Sequence, residues 1–401
     1  MTTAPHPLLT EYGLLEALSR HDDLDALGLE SIRPTLRVLL AGITREAGLN
    51  AARAERAGQR IFRALRRRAS ILRLVQTHPE IREEPIDAPI FLSGLNFAAL
   101  PNLHTLLAAH PSLRAWSVWE MANPVAPPEA DLKWSSLALQ ATDVLMKHLQ
   151  QNTPGLQSLH ATTADRPGAC HWLLQNCLVS PRMAFLWHMP RYLRWLMDEV
   201  DFTPTYPFFR LQLQALQWRA RRRGEPRRTM LLCDVLHQFH PEAIRFAFPD
   251  ARFVLLQDDP ERTANDLRSL CRRMHLFDSG RTASLDIGAY VAQLMYSSEH
   301  RAERQHVIDV RHLQQHPMPA LQALLDTLAL PADGGSMANI RAWVVEHRRE
   351  AIRRQTLTDN NRVQRWTHTR RLSRIDRATP AVSPTPSPPG GRTLYRAAKG
   401  G

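Results

Sequence analysis

The chain has 401 residues, 44% of them hydrophobic, enough for one large α/β domain with additions or for two domains. Its net charge of +12 sits mostly at one end: from Arg341 onward there are 14 Lys+Arg and four acids, so residues 1–340 are close to neutral and specific nucleic-acid binding by the folded part is not expected. No apolar run reaches the roughly 18 residues of a membrane-spanning helix, and the start MTTAPHPLLTEYG lacks a basic stretch followed by an apolar one, so a cytoplasmic chain with no transmembrane segment is expected.

Residues 8 to about 78 read as helical, with Leu14, Leu15 and Leu18, and later Ile61, Leu65, Leu72 and Val75, at helical spacing. The later segment also carries Arg60, Arg63, Arg66, Arg67 and Arg68, a face that is either solvated or a binding surface. Pro85 and Pro89 end this pattern before a buried strand at Ile90–Ser93. A loop, Gly94 to Asn102, and an amphipathic helix through Leu103, Leu106 and Leu107 follow. Strand, glycine and helix N-terminus are the layout with which α/β proteins hold a phosphate, yet this loop contains no Lys, Arg, Ser or Thr.

Residues 116–130 read as a short strand and a Pro-rich loop, and 132–151 and 169–222 as helical blocks. Further strands are expected at Thr229–Cys233, Arg252–Leu256 and His306–Val310, with helices between them and around 317–329 and 338–354. From about Arg377 the chain is rich in Pro, Gly and Ser and is expected to be disordered. Short apolar strands alternating with helices predict a parallel sheet covered on both faces, with ligands at the carboxyl ends of its strands. Expected boundaries are a helical region over 1–80, an α/β domain over 81–355 and a basic tail over 356–401. The four cysteines, Cys170, Cys177, Cys233 and Cys271, fit no zinc spacing and are expected as buried thiols, with no metal site.

Several landmarks then coincide. APIFLSGLNFAALPNLHTLLAAHP stands where one family typically shows RPIVIVGLPRTGTTLLHNLLAADP. Phe248–Arg252 (FPDAR), the Asp259-Pro260 turn, Leu216-Gln217-Trp218, Arg194-Trp195-Leu196 and Asp309-Val310-Arg311 follow the same pattern. Over roughly residues 35–355 the chain resembles the large bacterial branch of the sulfotransferases, which use 3′-phosphoadenosine 5′-phosphosulfate (PAPS). The resemblance implies the sulfotransferase fold, a P-loop-like parallel sheet flanked by helices, here with a helical N-terminal region and a disordered C-terminal tail. It implies sulfuryl transfer from PAPS to an acceptor hydroxyl or amine. It also places cofactor binding at Gly94, Asn96, Phe97, Ala98, Ala99 and Leu100, with Arg262 nearby.

The chain departs from the family at the groups that carry the chemistry. The family's Pro-Arg-Thr-Gly-Thr-Thr is replaced by Asn96 to Pro101, which removes hydroxyls, a cation and one N–H donor. Two or three lost charge-assisted hydrogen bonds at roughly 1.5–3 kcal/mol each weaken anion binding by several orders of magnitude. The family's Lys-Ser-Pro is Cys233-Asp234-Val235, and its 3′-phosphate Arg and Ser are Asp258 and Asp266. No lysine occurs between Lys147 and Lys399. His237 and His240 match histidines of the family; His237 is the candidate general base, and the alternative is that one of the two packs or caps while the other is solvated. Arg262, Arg268, Arg353 and Arg354 are candidate replacements at the anion site, although the first two also have Glu261 and Asp266 as partners within reach.

Two functions are therefore open: a catalytically degenerate member with a binding or interaction role, or an active divergent sulfotransferase with a rebuilt PAPS site. The acceptor is unassigned; the aromatic block 132–222 is compatible with an apolar or lipid-like one, and a protein partner is also open.

Overall fold

The computed structural model describes residues 5–21, 27–97, 99–125, 132–152, 163–280, 287–299, 306–338 and 340–342. Ala98, Arg353, Arg354 and the expected tail over 356–401 lie outside the described residues, as does most of the helix expected over 338–354.

Three helices lead the chain: α1 (Glu11–Ser19), α2 (Leu29–Arg45) and α3 (Ala51–Thr77). The Asn50 side chain accepts from Arg53 N at 3.0 Å and starts α3. Ala57, Ile61, Ala64, Leu65, Ala69, Ile71 and Val75 bury one face of that helix, and each large side chain among them contributes about 1.5–3 kcal/mol of burial. Arg68 leaves the arginine face and is buried: its guanidinium bonds Leu27 O and Ser31 Oγ and lies over Phe208.

Five parallel strands follow: β1 (Ile90–Ser93), β2 (Leu113–Arg114), β3 (Thr229–Cys233), β4 (Arg252–Gln257) and β5 (His306–Asp309), in spatial order β2-β3-β1-β4-β5. β1 is central and wholly buried. The strands expected at 90, 229, 252 and 306 are present. The one expected at 116 is not: β2 comes earlier, and Val118–Ala122 is instead a helix (α5). The Glu120 carboxylate accepts from both Ser117 N and Ser117 Oγ, a capping box that begins a helix where the aromatic pattern read as a strand.

The helices between strands are α4 (Ala99–Leu107), then α6 (Leu132–Asn152), α7 (His171–Leu174), α8 (Pro181–Leu186), α9 (Pro190–Arg194) and α10 (Thr205–Arg222). The helical block expected over 169–222 consists of short pieces followed by the 18-residue α10. Pro181 and Pro190 each open a new helix, because proline fits a first turn and not an interior. α11 (Pro241–Ala247), α12 (Pro260–Ser279), α13 (Ile287–Glu299), α14 (Val310–Gln315) and α15 (Pro317–Thr327) follow. All four cysteines are buried thiols. Among the described residues no helix is long and apolar enough to cross a membrane, and no group of His, Cys, Asp and Glu is arranged to hold a metal ion.

Candidate functional site

The carboxyl ends of β1, β3 and β4 bring Gly94, Asp234 and Asp258 to one edge, where parallel sheets bind ligands. Gly94 has φ +150°, and a β-carbon there would collide with the Leu256 carbonyl. The close approach of β1's exit to β4 requires this glycine, independently of any ligand.

Asn96 and the start of α4 close the cradle. The Asn96 side chain is buried; its Oδ1 accepts from Ala99 N at 2.6 Å and its Nδ2 donates to Asp258 Oδ2 at 2.6 Å. Leu100 N donates to Asn96 O at 3.0 Å, and Pro101 has no N–H. The N–H groups of Ala99 and Leu100, at the start of α4, are thus engaged within the loop. The other oxygen of Asp258 accepts from Asp259 N at 2.8 Å. Phe97 packs edge-on against Phe185, with ring centroids 5.1 Å apart, and Leu100 is buried. Of the residues expected to bind a cofactor, Gly94, Asn96, Phe97, Ala99 and Leu100 do form one loop at the sheet edge. Arg262 stands beyond Asp258, its Nη1 3.8 Å from Oδ2, and is half exposed. Arg268 bonds Asn265 at 2.9 Å. Arg262 thus faces Asp258, and its charge also acts on Asp266.

His237 sits apart from solvent. It lies in a 3-10 turn, Val235–Phe239, fully buried, edge-on to Phe91 at 4.8 Å and near Phe209. Its Nδ1 is 3.1 Å from Tyr206 Oη. Burial pushes its pKa down to about 3, so the ring stays neutral and packed. His240 stacks on Phe202, with centroids 3.6 Å apart. His237 is thus the packed histidine of the pair, while His240, just past the 3-10 turn, is half-buried.

Asp234 follows β3 and is buried. Its carboxylate accepts from Leu236 N at 2.9 Å, and Oδ2 lies 3.8 Å from His171 Nδ1. Burial raises its pKa to about 6, opposed by the N–H groups of Leu236 and His171 and by the charge of Arg182. Arg182 Nη1 is 2.9 Å from His171 Nε2. A string Asp234–His171–Arg182 therefore runs from the sheet edge to a cavity of about 800 Å³. That cavity is lined by Arg53, Arg56, Arg60, Arg63 and Arg67 of α3, by Arg182, and by apolar side chains from α6, α7 and α12 together with Trp187. Sequence reading singled out Arg60, Arg63 and Arg67 but not Arg53, Arg56, His171 or Arg182. The recurring three- and four-residue steps of the α3 arginines were the available signal.

Comparison with known proteins places this architecture. A family model described as "Sulfotransferase family" matches residues 89–334. The solved structure of sulfotransferase STF1 from Mycobacterium tuberculosis H37Rv is similar, with a TM-score of 0.68 at 24% identity, over 83% of this chain and 92% of that one. Sulfotransferase STF9 from Mycobacterium avium gives a TM-score of 0.71 at 20% identity, over 86% of this chain and 88% of that one. No curated protein matches the sequence significantly.

Proposed function

Because the chain belongs to the sulfotransferase family, we propose that it keeps the family's fold while its sheet-edge loop no longer grips PAPS, and that it acts by binding rather than by sulfuryl transfer. The observation that carries this reading is the Asn96 side chain at the start of α4, tied on one side to Ala99 N and on the other to Asp258. A 5′-phosphosulfate in this fold needs open N–H donors and positive charge at that place. Here the Ala99 and Leu100 donors are engaged, Pro101 has none, and buried Asp258 and Asp234 border the loop. These residues do not fit the group. Arg262 is directed to Asp258 and Arg268 to Asn265, which speaks against a rebuilt donor site on α12. His237, sealed beside Phe91 and Tyr206, is not placed to take a proton from an acceptor hydroxyl.

Calorimetric titration of the full chain with PAPS and with its product, 3′,5′-adenosine bisphosphate, tests the reading. No saturable heat is expected up to millimolar ligand. Micromolar binding that Asn96→Asp weakens would place the nucleotide in the loop and favour the active, divergent enzyme instead.

A further inference from the structure

The five α3 arginines at 53, 56, 60, 63 and 67 follow alternating steps of three and four residues, the spacing that sets side chains on one helix face. In a helix–helix seam such a stripe is apolar. Here it is cationic, and like charges three and four apart disfavour the helix that carries them. Arg56 and Arg63 are exposed, whereas Arg53, Arg60 and Arg67 are half-buried. Burial lowers the pKa of Arg60, Arg67 and Arg182, the last to about 10.

Among the described residues counter-charge at the cavity is sparse. Six arginines line the cavity against two carboxylates, Glu55 and Asp278. Asp278 Oδ1 reaches Arg60 at 3.7 Å, and among the described residues no carboxylate stands within 4 Å of Arg53, Arg56, Arg63 or Arg67. Two polar atoms at the cavity, Arg53 Nε and Asp278 Oδ2, are buried without a hydrogen-bond partner among the described residues, a state that folded proteins rarely tolerate. The walls also hold large apolar surfaces. The Arg182 guanidinium lies 5.1 Å from the centre of the Trp172 ring and that of Arg60 5.7 Å from Trp187, within the range of cation–π attraction.

We infer that this cavity binds a small hydroxylated anionic amphiphile: an oxyanion head meets the arginines, a hydroxyl donates to Asp278, and an apolar body lies against Trp172, Trp187, Phe277 and Leu149. The volume is within the roughly 300–1,000 Å³ of small-molecule sites, which favours a discrete molecule over an extended polyanion. The site is separate from the sheet-edge loop, so it holds whether or not that loop binds PAPS.

The test is calorimetry on the full chain with monomeric 1-octanoylglycerol 3-phosphate, a single-chain hydroxylated phosphate. Micromolar affinity is expected, at least about tenfold weaker for neutral monooctanoylglycerol. A further loss of about tenfold is expected in Arg56→Glu/Arg63→Glu, two exposed positions, and a smaller loss in Arg56→Gln/Arg63→Gln, which guards against misfolding in the first variant. Equal affinity for the neutral molecule, or an affinity that neither variant moves, overturns the proposal; the second result would assign the anion to the basic tail. Attachment to phosphatidic-acid vesicles with no binding of the monomer also overturns it, since it would mark a membrane-facing patch rather than an enclosed site.

Discussion

At the carboxyl end of β1 the chain satisfies its own polar groups, whereas along the outer face of α3 it leaves them over. Asn96 serves Ala99 and Asp258 at once, so that loop is stable with nothing bound. The arginines of α3 gain little from one another, and buried Arg53 Nε and Asp278 Oδ2 have no hydrogen-bond partner among the described residues. The difference teaches where polarity remains unspent in this chain: along the arginine face of α3 rather than in the loop after β1.

The contrast breaks or sharpens under substitution. The largest effect is expected at Gly94. Gly94→Val would force a side chain into the Leu256 carbonyl at a φ of +150°, and a loss of about 4 kcal/mol or more is expected in chemical denaturation. If it is tolerated, the loop's shape is not dictated by packing of β1 on β4.

His237 gives the next effect, read as a pH dependence. Its folded pKa of about 3 lies below the unfolded value of about 6.5. Below pH 6.5 the unfolded chain takes up a proton that the folded state refuses, so stability falls as pH drops toward 3, by about 1.4 kcal/mol per pH unit. His237→Phe should remove this component, and the stability of the variant relative to the parent should rise by about 2–3 kcal/mol between pH 6 and pH 4. A flat difference would show a solvated imidazole and reopen its role as a base.

Asn96→Ala uncovers the Ala99 N–H and removes a donor from buried Asp258; about 2 kcal/mol of destabilisation is expected from thermal unfolding. The smallest effect has the opposite sign. Arg63→Gln relieves like-charge neighbours on α3 and is expected to leave stability unchanged or raise it by up to about 0.5 kcal/mol. A loss comparable to that of Asn96→Ala would mean that the stripe is structural and that the contrast fails.

Much of the sheet was legible because β1, β3 and β4 are short, largely apolar runs that end at Gly or Asp, as at Ile90–Ser93 and Arg252–Gln257. β2 was not, since two residues carry too little pattern, and the aromatic run at Trp116 drew the assignment toward α5. The loop's missing hydroxyls and cation were readable in the sequence. That Asn96 would fill the vacated place was not, because Asp258 is 162 positions away in the chain. For the same reason the arginines of α3 were visible as a face, while their enclosure by Trp172, Arg182, Trp187 and Asp278 depends on contacts distant in sequence. That His237 lies in a buried 3-10 turn was not readable from its spacing alone.

The central claim is that the cradle is closed by its own side chains, and the most direct measurement compares two proteins in one titration. Adenosine 3′,5′-bisphosphate is titrated into the parent chain and into a variant carrying Phe97→Arg, Ala99→Gly, Leu100→Thr, Pro101→Thr and Cys233→Lys, which restores donors and positive charge to the sheet edge. The account predicts no saturable binding by the parent and measurable binding by the variant. Micromolar binding by the parent that Asn96→Asp weakens would contradict it.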